Sequence, residues 1–539
     1  MTVVGGGYDA IVVGGGHNGL TCAAYLARAG LGVLVLERRE RVGGIADTVE
    51  IAPVVRSPAI AATVGRLRAS VARDLDLRAH GLSLVAPAVR VFAPGHDGSA
   101  VVLWADVDRT AEDLRRRGLT ADADAWSEFD RLVRSLGGFM ADLGEQTPPD
   151  IANPGVADAL GGLLLGRKYR GLGRLDARTI LRVLAMPVAD FVAESLVSDA
   201  LRAAVAWRGV RNASLGPWSA GSTLNLLQDA AGNDGGAAGE TVFARGGPGA
   251  LAEALASAAR SFGAVIRTEA EVVAVRSNPD GVATGVVLAS GEEIAARAVV
   301  SAVDPKQTLL RFVDPIALGP TLRWRAGNIR QPGVVATVAL ALSRLPSFSA
   351  ADGDERLLRG RILVGAEGVD ALERAFDAAK YGRISERPVV EATIPSLVDP
   401  SLVDGAEPGT HVLHAHVQWT PRELRDGDWE ACREPLADSL IAQLETVAPG
   451  IGGLVTARRV LTPLDLERDY GLSSGHPWHA EPALESFFLW RPMLGYARYR
   501  MPLRGLYLAG SGAHPGGGIT GGPGQNAARE IVKDLRSRI

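Results

Sequence analysis

The chain has 539 residues, 47% of them hydrophobic and 22% charged, with a formal net charge of −4. At about 100–200 residues per domain this length predicts several domains or one large composite fold, and the composition excludes a disordered chain. Two cysteines, Cys22 and Cys432, exclude a disulfide scaffold, and the slightly negative balance gives no reason to expect nucleic acid as a partner.

Taken in order, Met1–Gly7 carries no basic flank and no twin arginine, so no export signal is expected. Within it, Val3–Gly7 is a glycine run with no strand before it and no helix after it, and reads as a soft tail. Tyr8–Val13 reads as a short buried strand. Gly14, Gly16 and Gly19 follow in the G-x-G-x-x-G spacing, with His17 and Asn18 inside the loop. Leu20–Ala29 is helical in pattern, Gly30 is a stop, and Val33–Glu37 is a second strand ending in an acid. Strand, glycine loop, helix, strand and acid make a βαβ dinucleotide-binding unit. Gly14 permits the turn, Gly16 lets a pyrophosphate approach the backbone, and Gly19 allows close helix–strand packing. The helix N-terminus offers free N–H groups to phosphate. Glu37 is placed to accept from a ribose hydroxyl.

Gly43 and Gly44 form a second pair after an arginine-rich turn that begins at Arg38. At the far end, Gly505–Gly510 reads as a strand running through Ser511 into the loop that holds His514, Gly517, Gly518 and Ile519. A helix is expected from about Pro523 to Leu535. Two glycine loops opening two helices at opposite ends of the chain suit FAD better than NAD. Gly510, Ser511, Gly517, Gly518 and Ile519 are therefore expected on the flavin side, and the two termini are expected to meet around one cofactor. No second strand–glycine loop–helix unit that would seat NAD(P)H is present.

The opening from Ile11 to Gly44, the close from Arg498 to Gly518, and the stretches Phe243–Leu251 and Ala298–Pro305 together resemble the phytoene desaturase-like flavoproteins. They are nearest the subgroup named after pyridine nucleotide-disulfide oxidoreductase domain-containing protein 2. The resemblance implies FAD, an α/β (α+β) glutathione-reductase-type Rossmann-like domain with an inserted mixed substrate domain, and oxidation or isomerisation of apolar substrates. It also implies that Val272 or Val273 contacts the adenine, and that Ser57–Ala59 approaches the flavin. Ile45 stands where flavin amine oxidases usually place arginine, which counts against an amine oxidase. No C-x-x-C supports a redox-active disulfide.

The expected organisation is a discontinuous FAD-binding domain (1–103, 243–312 and 463–539) and a substrate domain (106–241 and 315–462), the first part of the latter mostly helical. Helices are expected at Thr120–Leu143, Asp176–Val205, Gly249–Phe262, Val369–Ala379 and Pro435–Val447. Strands are expected at Val334–Leu342, Val389–Ile394 and His411–Trp419. Gly232–Gly239 reads as a flexible loop or lid.

For chemistry, His514 could orient substrate, move a proton or bond the cofactor; otherwise it is a loop histidine bonded to backbone. Phe488, Trp490 and Tyr496 could line an apolar pocket at the flavin or pack a domain junction. His414 and His416 share a strand face, but no acid or cysteine nearby completes a metal site, so a packed pair and no metal are expected. The reading is an FAD-dependent desaturase or dehydrogenase that passes electrons from an apolar isoprenoid, acyl or cyclic ketone-like substrate to oxygen or a quinone. A flavin-dependent double-bond isomerase, an amine or alcohol oxidase and a non-catalytic prenyl or lipid carrier are its rivals. No apolar run reaches the roughly 18 residues needed to cross a bilayer; a cytoplasmic protein is expected, with peripheral contact at the inner face of the membrane left open.

Overall fold

The computed structural model describes residues 7–232 and 234–537. The expected soft tail lies outside the described residues, Gly7 excepted. Tyr8–Val13 is a strand whose last four residues are buried. Its apolar run pairs in parallel with Val33–Leu36 on one side and with the end of Glu293–Ser301 on the other. Runs buried on both faces are what a parallel sheet covered by helices requires. The sheet continues through Val265–Arg267 on one edge, and through Ala283–Leu288 and Val272–Ser277 on the other. Leu506–Leu508 joins by pairing in parallel with Val299–Ser301. This sheet is thus assembled from three separated stretches of sequence. Helix His17–Arg28 packs between the last helix, Gly522–Arg536, and Pro248–Ser261.

The second sheet runs in the order Val455–Leu461, Val335–Leu342, His411–Gln418, Val390–Thr393, Arg361–Val364, Val89–Pro94 and Ala100–Trp104. This corrects the first boundary. The hairpin at 89–104 belongs to this sheet and not to the nucleotide-binding segment 1–103, because Val91 and Phe92 pair with Arg361 and Ile362. Helices cover one face around Trp126, Phe129, Phe191 and Trp207. The other face buries Phe92, Phe348 and Leu440.

Three elements depart from the sequence reading. The single helix expected at Asp176–Val205 is three helices, Gly173–Val183, Val188–Ala193 and Asp199–Val210. Pro187 stops continuation after the first, and Ser198 caps the third by accepting from Leu201 N–H. The helix expected to begin at Pro435 begins at Trp429, because Asp428 caps it through Ala431 N–H. The expected lid is pinned. In the described part of 232–239, Asp234 pairs with Arg90 and Arg134, and Arg208 donates to the carbonyls of Gly236 and Ala237 at 2.8 Å. Ala237 is fully buried.

Candidate functional site

The first glycine loop has the geometry its spacing requires. Gly14 has φ +100°. A Cβ at Gly19 would lie 2.1 Å from the Gly14 carbonyl oxygen, so only glycine lets the helix approach the strand this closely. At Gly16 a Cβ would meet nothing nearer than Gly44 Cα at 3.9 Å, which leaves open space at the helix N-terminus. Gly43, with φ +129°, crosses over this loop, its N–H donating to Gly15 O at 2.9 Å.

The two ends of the chain meet here. His17 Nε2 lies 3.2 Å from Gly518 O, and Asn18 Nδ2 donates to Ser511 Oγ at 3.0 Å. A cleft of about 400 Å³ opens beside this junction. Of the residues expected to bind cofactor, Gly14, Gly16, His17, Asn18, Gly19, Glu37, Arg38, Gly44, Val273 and Ser511 all line it. Glu37 is anchored by the N–H groups of Gly15 at 2.7 Å and Arg39 at 2.9 Å, and each carboxylate oxygen keeps acceptor capacity. Burial, with a contribution from His479, holds His17 down to about 4, so it stays neutral.

Other expected residues fall elsewhere. Gly510 is packed on the Ala302 carbonyl, where a Cβ would stand 2.5 Å away, and Gly517 is covered by the Trp478 ring. Gly518 and Ile519 line a smaller cavity of about 50 Å³, and Ile45 and Pro477 line both spaces. His514 is fully buried, its Nε2 donating to Leu143 O at 3.1 Å. Desolvation pushes it down to about 3 and keeps it neutral, and its Nε2–H is held by the Leu143 carbonyl, the backbone-bonded alternative. Phe488, Trp490 and Tyr496 do not form one pocket. Phe488 packs on Phe487 and on the His514 ring at 5.2 Å, Trp490 is 45% exposed, and Tyr496 rests on the nucleotide-domain core. None of the three lines the cleft or the smaller cavity.

The smaller cavity is lined by residues the sequence did not single out, notably Arg66, Arg211, Asn212 and Arg361, together with Trp478, which stands upstream of the aromatic cluster, and His416. Strand register places His416 beside Thr337 and Glu391. Gln418 fixes the imidazole. Its Nε2 donates to the carbonyls of Val210 and Ala213, so its Oε1 accepts both Asn212 N–H and His416 Nε2–H, each at 3.0 Å. That orientation leaves the His416 lone pair on Nδ1. Burial, aided by Arg211, holds His416 down to about 4 and keeps it neutral. Among the described residues no cluster suits a metal ion, and both cysteines are free.

This is a dinucleotide cleft built jointly by the two ends of the chain and continued toward a second sheet, the layout of a two-domain flavoprotein. The chain matches the NAD(P)-binding Rossmann-like domain over 12–66 and the flavin containing amine oxidoreductase family over 190–532. It is 34% identical over 550 residues to pyridine nucleotide-disulfide oxidoreductase domain-containing protein 2 of Rattus norvegicus, covering 98% of this chain and 94% of that one. It is 27% identical over 543 residues to phytoene dehydrogenase of Streptomyces griseus, covering 96% and 94%. Cyclohexylamine oxidase from Brevibacterium oxydans has the same fold, with TM-score 0.56, 16% identity and coverage of 98% and 100%. The chain belongs to the flavin-containing amine oxidoreductase family, among its phytoene desaturase-like members. It is an oxidoreductase and its cofactor is FAD. The residues present suit that group: Gly16 faces open space with backbone alone, a Cβ at Gly44 would crowd it at 3.2 Å from Gly16 Cα, and Asn18 Oδ1 is buried without a partner.

Proposed function

We propose that the chain is an FAD-dependent dehydrogenase of the desaturase type, acting on a C–H bond of a largely apolar substrate, with oxygen or a quinone as final acceptor. The observation that carries this reading is the neutral, deeply buried His416 lining the small cavity next to Gly518 and Ile519. Bound in the cleft, FAD supplies a two-electron acceptor for hydride. Glu37 would take the ribose and the N-terminus of helix His17–Arg28 the pyrophosphate, with the Val273 backbone at the adenine. Gly510 and Gly517 hold the flavin-side loop in place through packing. His416 Nδ1 accepts the proton lost from the substrate carbon. Burial keeps bulk water away from that exchange. Ile45 in place of an arginine remains an argument against amine substrates. The phytoene dehydrogenase relative supports a substrate that is apolar over much of its length.

The test is anaerobic mixing of the yellow protein with a panel of acyl chains, isoprenoids, ketones and amines, followed by flavin bleaching. With the substrate so found, His416→Gln is expected to slow bleaching by about 10²-fold or more at unchanged FAD content. His514→Asn should leave the rate within a few-fold. An undiminished rate in His416→Gln would remove this histidine from the chemistry. Isomerisation by dithionite-reduced enzyme, with no bleaching by any compound, would favour the isomerase.

Contact with an anionic bilayer is part of the same proposal. Among the described residues no helix is long and apolar enough to cross a membrane. Successive helices Val156–Gly171 and Gly173–Val183 nevertheless expose Leu160, Leu163, Leu164, Leu175 and Leu181, from 57% for Leu160 to 73% for Leu175. Arg167, Arg170, Arg174 and Arg178 lie on the same helices. Apolar side chains ringed by cations favour an anionic interface. The protein should pellet with phosphatidylserine-containing vesicles at low salt. The double variant Leu163→Glu/Leu164→Glu should lose at least tenfold in partitioning, and no pelleting of the parent protein would refute the contact.

A further inference from the structure

The cavity of about 50 Å³ beside Gly518 and Ile519 is lined by three arginines, Arg66, Arg211 and Arg361, and by no carboxylate. Each of the three has a buried Nε without a hydrogen-bond partner. Their other nitrogens are only partly occupied. Arg66 donates to Gly517 O at 3.1 Å and Gln228 O at 2.8 Å. Arg361 donates to Thr63 Oγ1 at 3.2 Å, and its Nε stands 3.7 Å from Glu391, outside hydrogen-bond range. Arg211 pairs with Glu391 at 2.9 Å.

The charges behind the wall do not balance. Glu391 is shared between Arg211 and Arg361, and also accepts Trp207 Nε1–H at 2.8 Å. Asp229, the buried acid that attracts Arg66, is already held by Arg208 at 2.6 Å. Glu240 is only partly buried, and the neighbouring Arg90 is paired with Asp234. Guanidinium groups drawn from three distant segments therefore converge on one small space with unused donors. A hydrocarbon placed there would leave them uncompensated, whereas a carboxylate offers two oxygens with the geometry guanidinium matches.

We propose that this cavity is a carboxylate-binding subsite that seats the anionic head of the substrate, with Arg66, Arg211 and Arg361 as its positioning residues. The proposal rests on the dehydrogenase reading above and narrows its substrate to the acyl class.

Straight-chain carboxylates from acetate to octanoate, each with its matching amide, are titrated anaerobically into the FAD-loaded protein and followed by the flavin absorption spectrum. At least one carboxylate should give a saturating spectral shift at a concentration tenfold or more below its amide. Arg361→Gln and Arg211→Gln should each weaken that binding by about 10–100-fold while retaining FAD. Where either variant fails to fold, competition between short carboxylates and amides on the unaltered protein decides the same point. Equal affinity for acid and amide, or no shift with any acid, overturns the subsite. So do variants that alter FAD retention or potential at unchanged carboxylate affinity, because the arginines then serve the cofactor. Tight carboxylate binding without bleaching by any compound would overturn the dehydrogenase reading and leave the subsite standing; bleaching by a neutral compound without carboxylate binding would do the reverse.

Discussion

Gly19→Ala is expected to give a destabilised, colourless protein, and Gly16→Ala a stable, colourless one. In an ordinary helix a Gly→Ala change stabilises by about 1 kcal/mol. At Gly19 the new methyl would sit 2.1 Å from Gly14 O and 2.9 Å from Ala302 Cβ, and both neighbours belong to the ends of central strands. Neither can move without displacing the sheet, so overpacking of about 1–3 kcal/mol or more outweighs the helical gain. The loop that cradles phosphate is displaced with it. Gly16 is different, because its φ of −72° is open to any residue and the space around it is empty. Its methyl costs the apoprotein under about 1 kcal/mol but occupies the phosphate approach. Urea unfolding of the apoproteins, with absorbance at the flavin band after purification, separates the two. A yellow, fully stable Gly19→Ala protein would contradict the packing account.

Arg491→Met should destabilise the protein by at least about 3 kcal/mol and release FAD. Arg491 is 2% exposed, and its guanidinium donates to the carbonyls of Trp478, Ala480, Glu481, Ser486 and Ser511. Burial pulls it down to about 10, so it remains charged at neutral pH. Glu481 O keeps Ala483 N–H and Ser486 Oγ–H, but the other four carbonyls lose their donor together in the variant, and each buried acceptor left unpaired costs about 1–3 kcal/mol. Ser511 is also the residue that Asn18 grips across the cleft, so its carbonyl anchors the flavin-side loop. Arg491→Lys should fall between parent and methionine, because an ammonium cannot span these positions. A urea midpoint for Arg491→Met within 1 kcal/mol of the parent would dismiss the clamp.

The nucleotide half was legible because its chemistry is backbone chemistry. The demands on Gly14, Gly16 and Gly19 are local, set by spacing between one strand and one helix, and Glu37 is fixed by the strand that ends beside it. The substrate half was not. Arg66, Arg211 and Arg361 each resemble a surface arginine in sequence, in a chain with 57 lysines and arginines. Only the tertiary fold brings together a loop, a helix end and a strand that carry them. His414 and His416 were recognisable as sharing one strand face, but Gln418 and the neighbouring strand decide that His416 reaches the cavity. Likewise Val89–Pro94 and Ala100–Trp104 are sound strands whose sheet is chosen by Arg361–Val364, some 260 residues later. The aromatic cluster failed because proximity in sequence says nothing about direction: Phe487 and Phe488 turn toward the helices while Trp490 faces solvent.

The parallel pairing of Leu506–Leu508 with Val299–Ser301, and the docking of the last helix on the first, carry a consequence for biosynthesis. Translation must pass Arg536 before the cofactor crevice can close, because its opening βαβ unit waits on residues made some five hundred positions later. Until then the nascent chain keeps apolar strand edges uncovered, which makes it a natural client for chaperones while the ribosome is still at work. Premature termination before Leu506 would therefore abolish flavin loading, however intact the polypeptide made until then.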